Sequence, residues 1–293
     1  MRLGKFTALA GILIIATAFI ISCSSDDNKA TTPTITYGDN NDPEFVPIQV
    51  QIDSVLQNFA SDILDGLENL QTPPGDPTQT RADLVPAGEI PIDTDPDTLI
   101  HVYQNGWHYI YAKHSGNSYE ARLRDSVRFE TDNVPVEVAT NAVDYIHVID
   151  NWTFTAVNQN VTHTDYAGRN EFEISGLDLN ECTINSSTNN NISVHFVQGD
   201  STMDNSFSFN VSTDNLIVKK ATDGWYSGCP SSGTVSMTLS HVFTWDNGLT
   251  IGNGSSSWTI EATFDDGTAT VTADNGTETW RYTCEVCTMP MTQ

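Results

Sequence analysis

Apolar and polar positions alternate with different periods in successive stretches of the chain. Leu9 to Ile21 is a nearly continuous apolar run. Residues 24–44 show no apolar period and read as a flexible tether. From Pro47 onward, Ile48, Ile52, Val55, Phe59, Ile63, Leu67 and Leu70 recur at spacings of three and four. That pattern predicts one amphipathic helix over 45–71 with Pro47 near its start. Such a helix packs its stripe on its own domain, or serves as a lid or partner-binding element. Residues 72–98 are loop-like again. Nine of the 12 prolines precede residue 100 and all six tryptophans follow it, so the body of the fold is expected over 99–293.

In that body the period changes to two. Asn105-Gly106 separates LIHVYQ from WHYIYAKH, Asp266-Gly267 separates SWTIEATF from TATVTA, and Asn275-Gly276 separates that from TETWRYT. These dipeptides tolerate the positive φ that type I′ hairpin turns require. Further strands are expected at Tyr145–Ile149, Trp152–Val157, Glu171–Ser175, Ile192–Gln198, Phe207–Val211 and Thr234–Trp245. Short connections force antiparallel neighbours. The expected fold is mainly β, an antiparallel meander of roughly a dozen strands forming a barrel, half-barrel or sandwich. The amphipathic helix would cover an opening or an edge of it.

Composition narrows the partners. The 293 residues carry 38 acidic and 12 basic side chains, a formal net charge of −26. A surface this acidic repels phosphate backbones, which excludes nucleic-acid binding through a basic patch. Only 17% of residues are charged, so polarity comes from Thr, Ser and Asn, which suit exposed strand faces and turns.

The first residues carry a secretory signal: Arg2 and Lys5 form a positive n-region ahead of the apolar run, which is too short to span a membrane comfortably. Ile20-Ile21-Ser22-Cys23 then resembles the lipobox of bacterial lipoproteins. The resemblance implies a signal peptide over 1–22, cleavage before Cys23, acylation of Cys23 (palmitate among its chains) and a lipidated tether over 23–44. Two or three acyl chains hold stably where one is marginal. Ser24 goes with outer-membrane sorting in such proteins, and Ser25-Asp26-Asp27 looks like the tether of some surface-exported lipoproteins. The implied location is the cell envelope, on the periplasmic face or the cell surface of the outer membrane. Loss of Arg2 and Lys5 leaves the remaining chain still more acidic.

Side-chain parity sorts the first hairpins into two faces. One carries Ile100, Val102, Trp107, Tyr109, Tyr111, Lys113, Arg122, Arg124 and Arg128. Guanidinium forks beside aromatic rings suit an anionic or amphiphilic ligand, so Trp107, Tyr109, Tyr111, Arg122, Arg124 and Arg128 form a candidate ligand face. The alternative is an outer face where arginines lie over tyrosines and relieve local acidity. The other face carries His101, His108 and Asp125. With a turn centred on Gly116-Asn117, His108 is expected opposite Asp125 and Tyr111 opposite Arg122. Two imidazoles and a carboxylate suit a zinc-like cation or an oriented general base, although no nucleophile, HExxH, GxSxG or phosphate loop accompanies them. The alternating carboxylates Asp93, Asp95 and Asp97 lack the turn glycine and the bidentate acid of a calcium loop.

Apart from Cys23, four cysteines remain: Cys182, Cys229, Cys284 and Cys287. An even count beyond the inner membrane favours disulfides. The CxxC spacing of Cys284 and Cys287 ends a strand instead of opening a helix, unlike a thioredoxin motif. A Cys₄ zinc site is the other alternative. The meander brings Cys229 and Cys284 to the same end, which points to a clasp between them. The sequence thus reads as a membrane-anchored envelope lipoprotein, a non-catalytic binding or structural module that calls for no cofactor. A lipid or other amphiphile is the expected ligand, with the membrane as partner through Cys23. The alternative is an envelope hydrolase or metal-dependent enzyme using His101, His108 and Asp125. Helix plus meander is loosely similar to periplasmic lipoprotein-carrier half-barrels.

Overall fold

In the computed structural model, residues 37–42, most of 45–56, 97–140, 142–157, 161–221 and 224–287 are described. The expected signal peptide, Cys23, the start of the tether, the helix beyond Leu56 and the proline-rich stretch to residue 96 lie outside the described residues.

The hairpins expected from turn chemistry are present, and the strands are longer than the apolar runs that announced them. The segments expected as two strands at Tyr145–Ile149 and Trp152–Val157 form one continuous strand ending at Ala156. They are β1 (Thr98–Gln104), β2 (Trp107–Ser115), β3 (Tyr119–Thr131), β4 (Val134–Val136), β5 (Tyr145–Ala156), β6 (Val161–Ser175), β7 (Glu181–Gln198), β8 (Ser201–Ala221), β9 (Gly224–Asp246), β10 (Ile251–Asp265), β11 (Thr268–Asp274) and β12 (Thr279–Glu285). Polar stretches join the strands because their alternate positions still reach the core. In β7, Cys182, Ile184, Ser186, Thr188 and Asn190 are all buried on one face. Asn105 and Gly106 have φ of 54° and 82°, and Asp266 and Gly267 of 42° and 84°, the left-handed pairs a type I′ turn needs. Asn275-Gly276 departs from that expectation. It opens a four-residue loop in which the Asn275 Oδ1 accepts from the N–H groups of Thr277 and Glu278 at 2.9 and 2.8 Å.

All strands form one antiparallel sheet in sequence order, with β4 as a short spur on β3. The sheet is open: β1 and β12 end it and do not pair with each other. Neither the closed barrel nor a two-sheet sandwich forms. Closure would need the outer edge of β12, which residues 37–40 already occupy. The Gly38 N–H donates to the Thr279 carbonyl at 2.8 Å, and the Asn40 side chain donates to the Arg281 carbonyl at 3.0 Å.

The core lies on one face of the sheet. Val235, Ala262, Val271 and Tyr282 stand in one row across β9–β12, all buried. Phe45 covers them, stacked on Trp280 with ring centroids 4.7 Å apart and edge-on to Tyr282 at 5.9 Å. Ile52 and Leu56 join the same core. The described residues from Val46 to Leu56 have helical backbone; a helix continuing to residue 71 falls on residues outside the described ones. The opposite face is built of hydroxyls and amides, as in the row Thr234, Thr263, Thr270 and Thr283 across the same four strands.

Candidate functional site

The candidate ligand face forms on β1–β3 with the parity expected and a different register. Tyr111 stands opposite Arg124, not Arg122, and Lys113 opposite Arg122. The β2–β3 turn is centred on Asn117-Ser118, with the Gly116 N–H donating to the Tyr119 carbonyl at 2.9 Å. Moving the centre one residue along the chain slides the pairing by two, and a slip of two keeps every side chain on its face. Arg124 lies over the Tyr111 ring and Arg128 over the Trp107 ring, each 5.9 Å from the centroid. Arg122 also meets Glu120 at 2.6 Å and Arg128 meets Glu130 at 2.5 Å. Guanidinium groups over rings and arginines that neutralise neighbouring acids are both features of the outer-face alternative. Beside them Ile100, Val102 and Tyr109 are exposed.

Next along this face, His147 Nε2 donates to the Glu171 carboxylate, 3.1 Å away, and Arg169 pairs with the same carboxylate at 2.9 Å. Glu171 is held below the usual carboxylate range: partial burial works against this, and the bonds from His147 and Arg169 outweigh it. Asp97, at the start of β1, accepts from the Ser115 hydroxyl and N–H, which lowers its pKa.

On the core face the expected triad is rearranged. His101 Nε2 and His108 Nδ1 share a hydrogen bond of 2.9 Å. The same two-residue slip sets His108 opposite Val127 and Asp125 opposite Ile110. His108 and Asp125 are both buried, but the direct His-Asp cross-strand pair of the enzyme alternative is not made. Among the described residues, no group of three or more His, Cys, Asp or Glu side chains is arranged to hold a metal ion.

A polar row crosses the core face that apolar patterning did not bring out. Asp125, Asp150, Asn170 and Thr188 are successive cross-strand partners on β3, β5, β6 and β7. Asp125, Asn170 and Thr188 are buried. The signal for it was parity: Asp125, Asp150, Asn170 and Thr188 share the face of their strands with the core residues Val127, Val148, Ile174 and Ile184. A second missed feature is an open groove of about 580 Å³ on the hydroxyl face, lined by Thr153, Thr155, Asp165, Ser193, Ser206 and Ser240 among others. Its concavity follows from small side chains on adjacent strands.

The cysteines pair differently from the expected clasp. Cys229 bonds to Cys287, with Cα atoms 6.0 Å apart, while Cys182 and Cys284 are free thiols. Cys284 lies within β12 opposite Ala269, facing the core. Past the strand end, the Val286 and Cys287 N–H groups both donate to the Gly267 carbonyl and bend the chain towards the β10–β11 turn. Gly267 in turn donates to the Pro230 carbonyl at 2.9 Å, which brings Cys229 alongside. Burial pushes the Cys284 thiol up to about 12, helped by the nearby Asp53 carboxylate. Burial likewise raises Asp53, against its contacts with Tyr282 and Cys284.

No family model, no curated protein and no solved structure matches this chain.

Proposed function

We propose that the protein is a lipid-anchored, non-catalytic binding module of the bacterial envelope, and that the outward face of β1–β3 takes an amphiphilic, anionic ligand. One observation carries the reading: exposed Ile100, Val102 and Tyr109 lie on the same face as Arg124 and Arg128, which sit over Tyr111 and Trp107. An acyl chain would lie along the apolar positions while its charged head meets a guanidinium. Arg124 is the sharper anchor, because Arg122 and Arg128 already face Glu120 and Glu130. Cys23 supplies the membrane attachment that the lipobox resemblance implies. The amphipathic stretch over 45–71 would continue along the core face, a layout loosely similar to carrier half-barrels.

Tryptophan fluorescence tests this on the chain carrying Cys23→Ser, titrated with decyl phosphate and with decanol. Saturable binding of decyl phosphate is expected, weakened about tenfold by Arg124→Gln, the scale of one charge-assisted hydrogen bond. Decanol should bind more weakly than decyl phosphate and ignore Arg124→Gln. Absence of saturable binding by both probes overturns the ligand face. Palmitate label that persists in the Cys23→Ser chain overturns the anchor.

A further inference from the structure

The two ends of the sheet are finished differently. The outer edge of β12 is taken by Tyr37, Gly38 and Asn40. Among the described residues nothing pairs with the outer edge of β1, whose N–H and C=O groups on that side run unpaired from Thr98 to Gln104. Proteins ordinarily blunt such an edge with lysine, proline, a bulge or a covering loop. β1 reads TLIHVYQ, with no proline, no lysine, no carboxylate and an unbroken register on β2. Leu99, Ile100 and Val102 are 50%, 52% and 48% exposed, so both of its faces present apolar side chains to solvent.

We propose that β1 pairs antiparallel with β1 of a second copy, about a two-fold axis through His101, to make one sheet continuous across both molecules. Three observations select this occupant. The strand is self-complementary about its centre: Leu99 meets Tyr103, Ile100 meets Val102, and Thr98 meets Gln104, so each apolar side chain finds an apolar partner. Only registers of this parity keep core face next to core face, and this one uses all seven residues. Charge also favours this end of the sheet over the other. Residues 97–131 carry four acidic and four basic side chains, within a chain of net −26. A second copy therefore approaches this end with less repulsion than the β12 end, where residues 261–287 carry six acidic side chains and one basic, whereas an acidic or basic partner finds no net charge to recognise at β1. The inference stands independently of the ligand reading, although pairing would set the two β1–β3 faces side by side.

Sedimentation velocity of the chain carrying Cys23→Ser, at physiological salt and rising concentration, reads this directly. A monomer–dimer equilibrium is expected. Val102→Lys, which sets lysine against Ile100 in both halves of the pair, should raise the dissociation constant at least tenfold. Val242→Lys, on the equally exposed β9, should leave it unchanged. His101→Cys should give a disulfide-linked dimer under mild oxidant, since residues opposed across the axis bring their Cβ atoms within about 5.5 Å. A circular dichroism spectrum and thermal midpoint like those of the parent confirm that each variant folds. A chain that stays monomeric at high micromolar concentration overturns the proposal. So does a dimer indifferent to Val102→Lys, which would place the contact, or another partner strand, elsewhere.

Discussion

Cys284 and Cys287 stand three residues apart and meet different fates. Both are equally visible in the sequence, and the meander points to Cys284 as the partner of Cys229, whereas the bond is made by Cys287. Cys284 occupies a core-facing strand position, half-buried, where burial and the Asp53 carboxylate raise its thiol pKa. Cys287 lies beyond the last ladder pair, free to follow the bend that Gly267 imposes. Peptide mapping should therefore find Cys229 linked to Cys287, with Cys182 and Cys284 alkylated only after unfolding. Cys229→Ser opens a loop whose ends are 58 residues apart, and in the chain-entropy model that costs about 4 kcal/mol. The check is a lower denaturant midpoint than the parent, with Cys284→Ser shifting it far less. Equal losses from both substitutions would contradict the pairing.

Within single strands, most of the design follows from period two. The parity of Trp107, Tyr109, Tyr111, Arg122, Arg124 and Arg128 was readable because alternation survives any slip by an even number of residues. The partners across the strands were not, because turn position sets them, and the β2–β3 turn is centred one residue later than its glycine suggested, which shifts the pairing by two. Strands β7 to β9 extend through Ser- and Asn-rich stretches that look like loops in isolation; only neighbours on both sides give those backbone groups their hydrogen bonds. Gly168, in the middle of β6, is a related case. It has no side chain of its own, and the Trp152 ring and the Asn190 amide close over its Cα from the flanking strands. A methyl group there would overlap both. Gly168→Ala should destabilise the protein by roughly 1–3 kcal/mol, the range for overpacking a filled site. Gly199→Ala is a poor control because its φ is 62°. Ala167→Gly, next to Gly168 on the hydroxyl face, is the better comparison and should cost less in the same urea titration.

At the scale of the molecule, charge and openness act together. The excess of acid is spread along the chain, and the ion pairs that offset it, such as Lys113–Glu120 and Lys219–Asp266, are partly or well exposed. Exposed pairs contribute about 0–1 kcal/mol each, so self-repulsion outweighs them in a chain of net −26. Raising sodium chloride shortens the screening length from about 30 Å at 0.01 M to about 8 Å at 0.15 M. The thermal midpoint should therefore rise by several degrees over that range, read by differential scanning calorimetry. A fall would mean that the ion pairs dominate.

The β character of the body, the two faces of its strands and the turns at Asn105-Gly106 and Asp266-Gly267 belong to the sequence alone. Each depends on residues within a few positions, through side-chain alternation and the positive φ that those turns demand. Register, the cysteine partner and the open sheet belong to the assembled chain. These depend on contacts between distant residues, such as Asn40 on Arg281, 241 positions apart. Local preference carries no information about which of two equally good edges such a segment will cover. One edge is covered, at β12, and that leaves β1 as the end at which the sheet can grow.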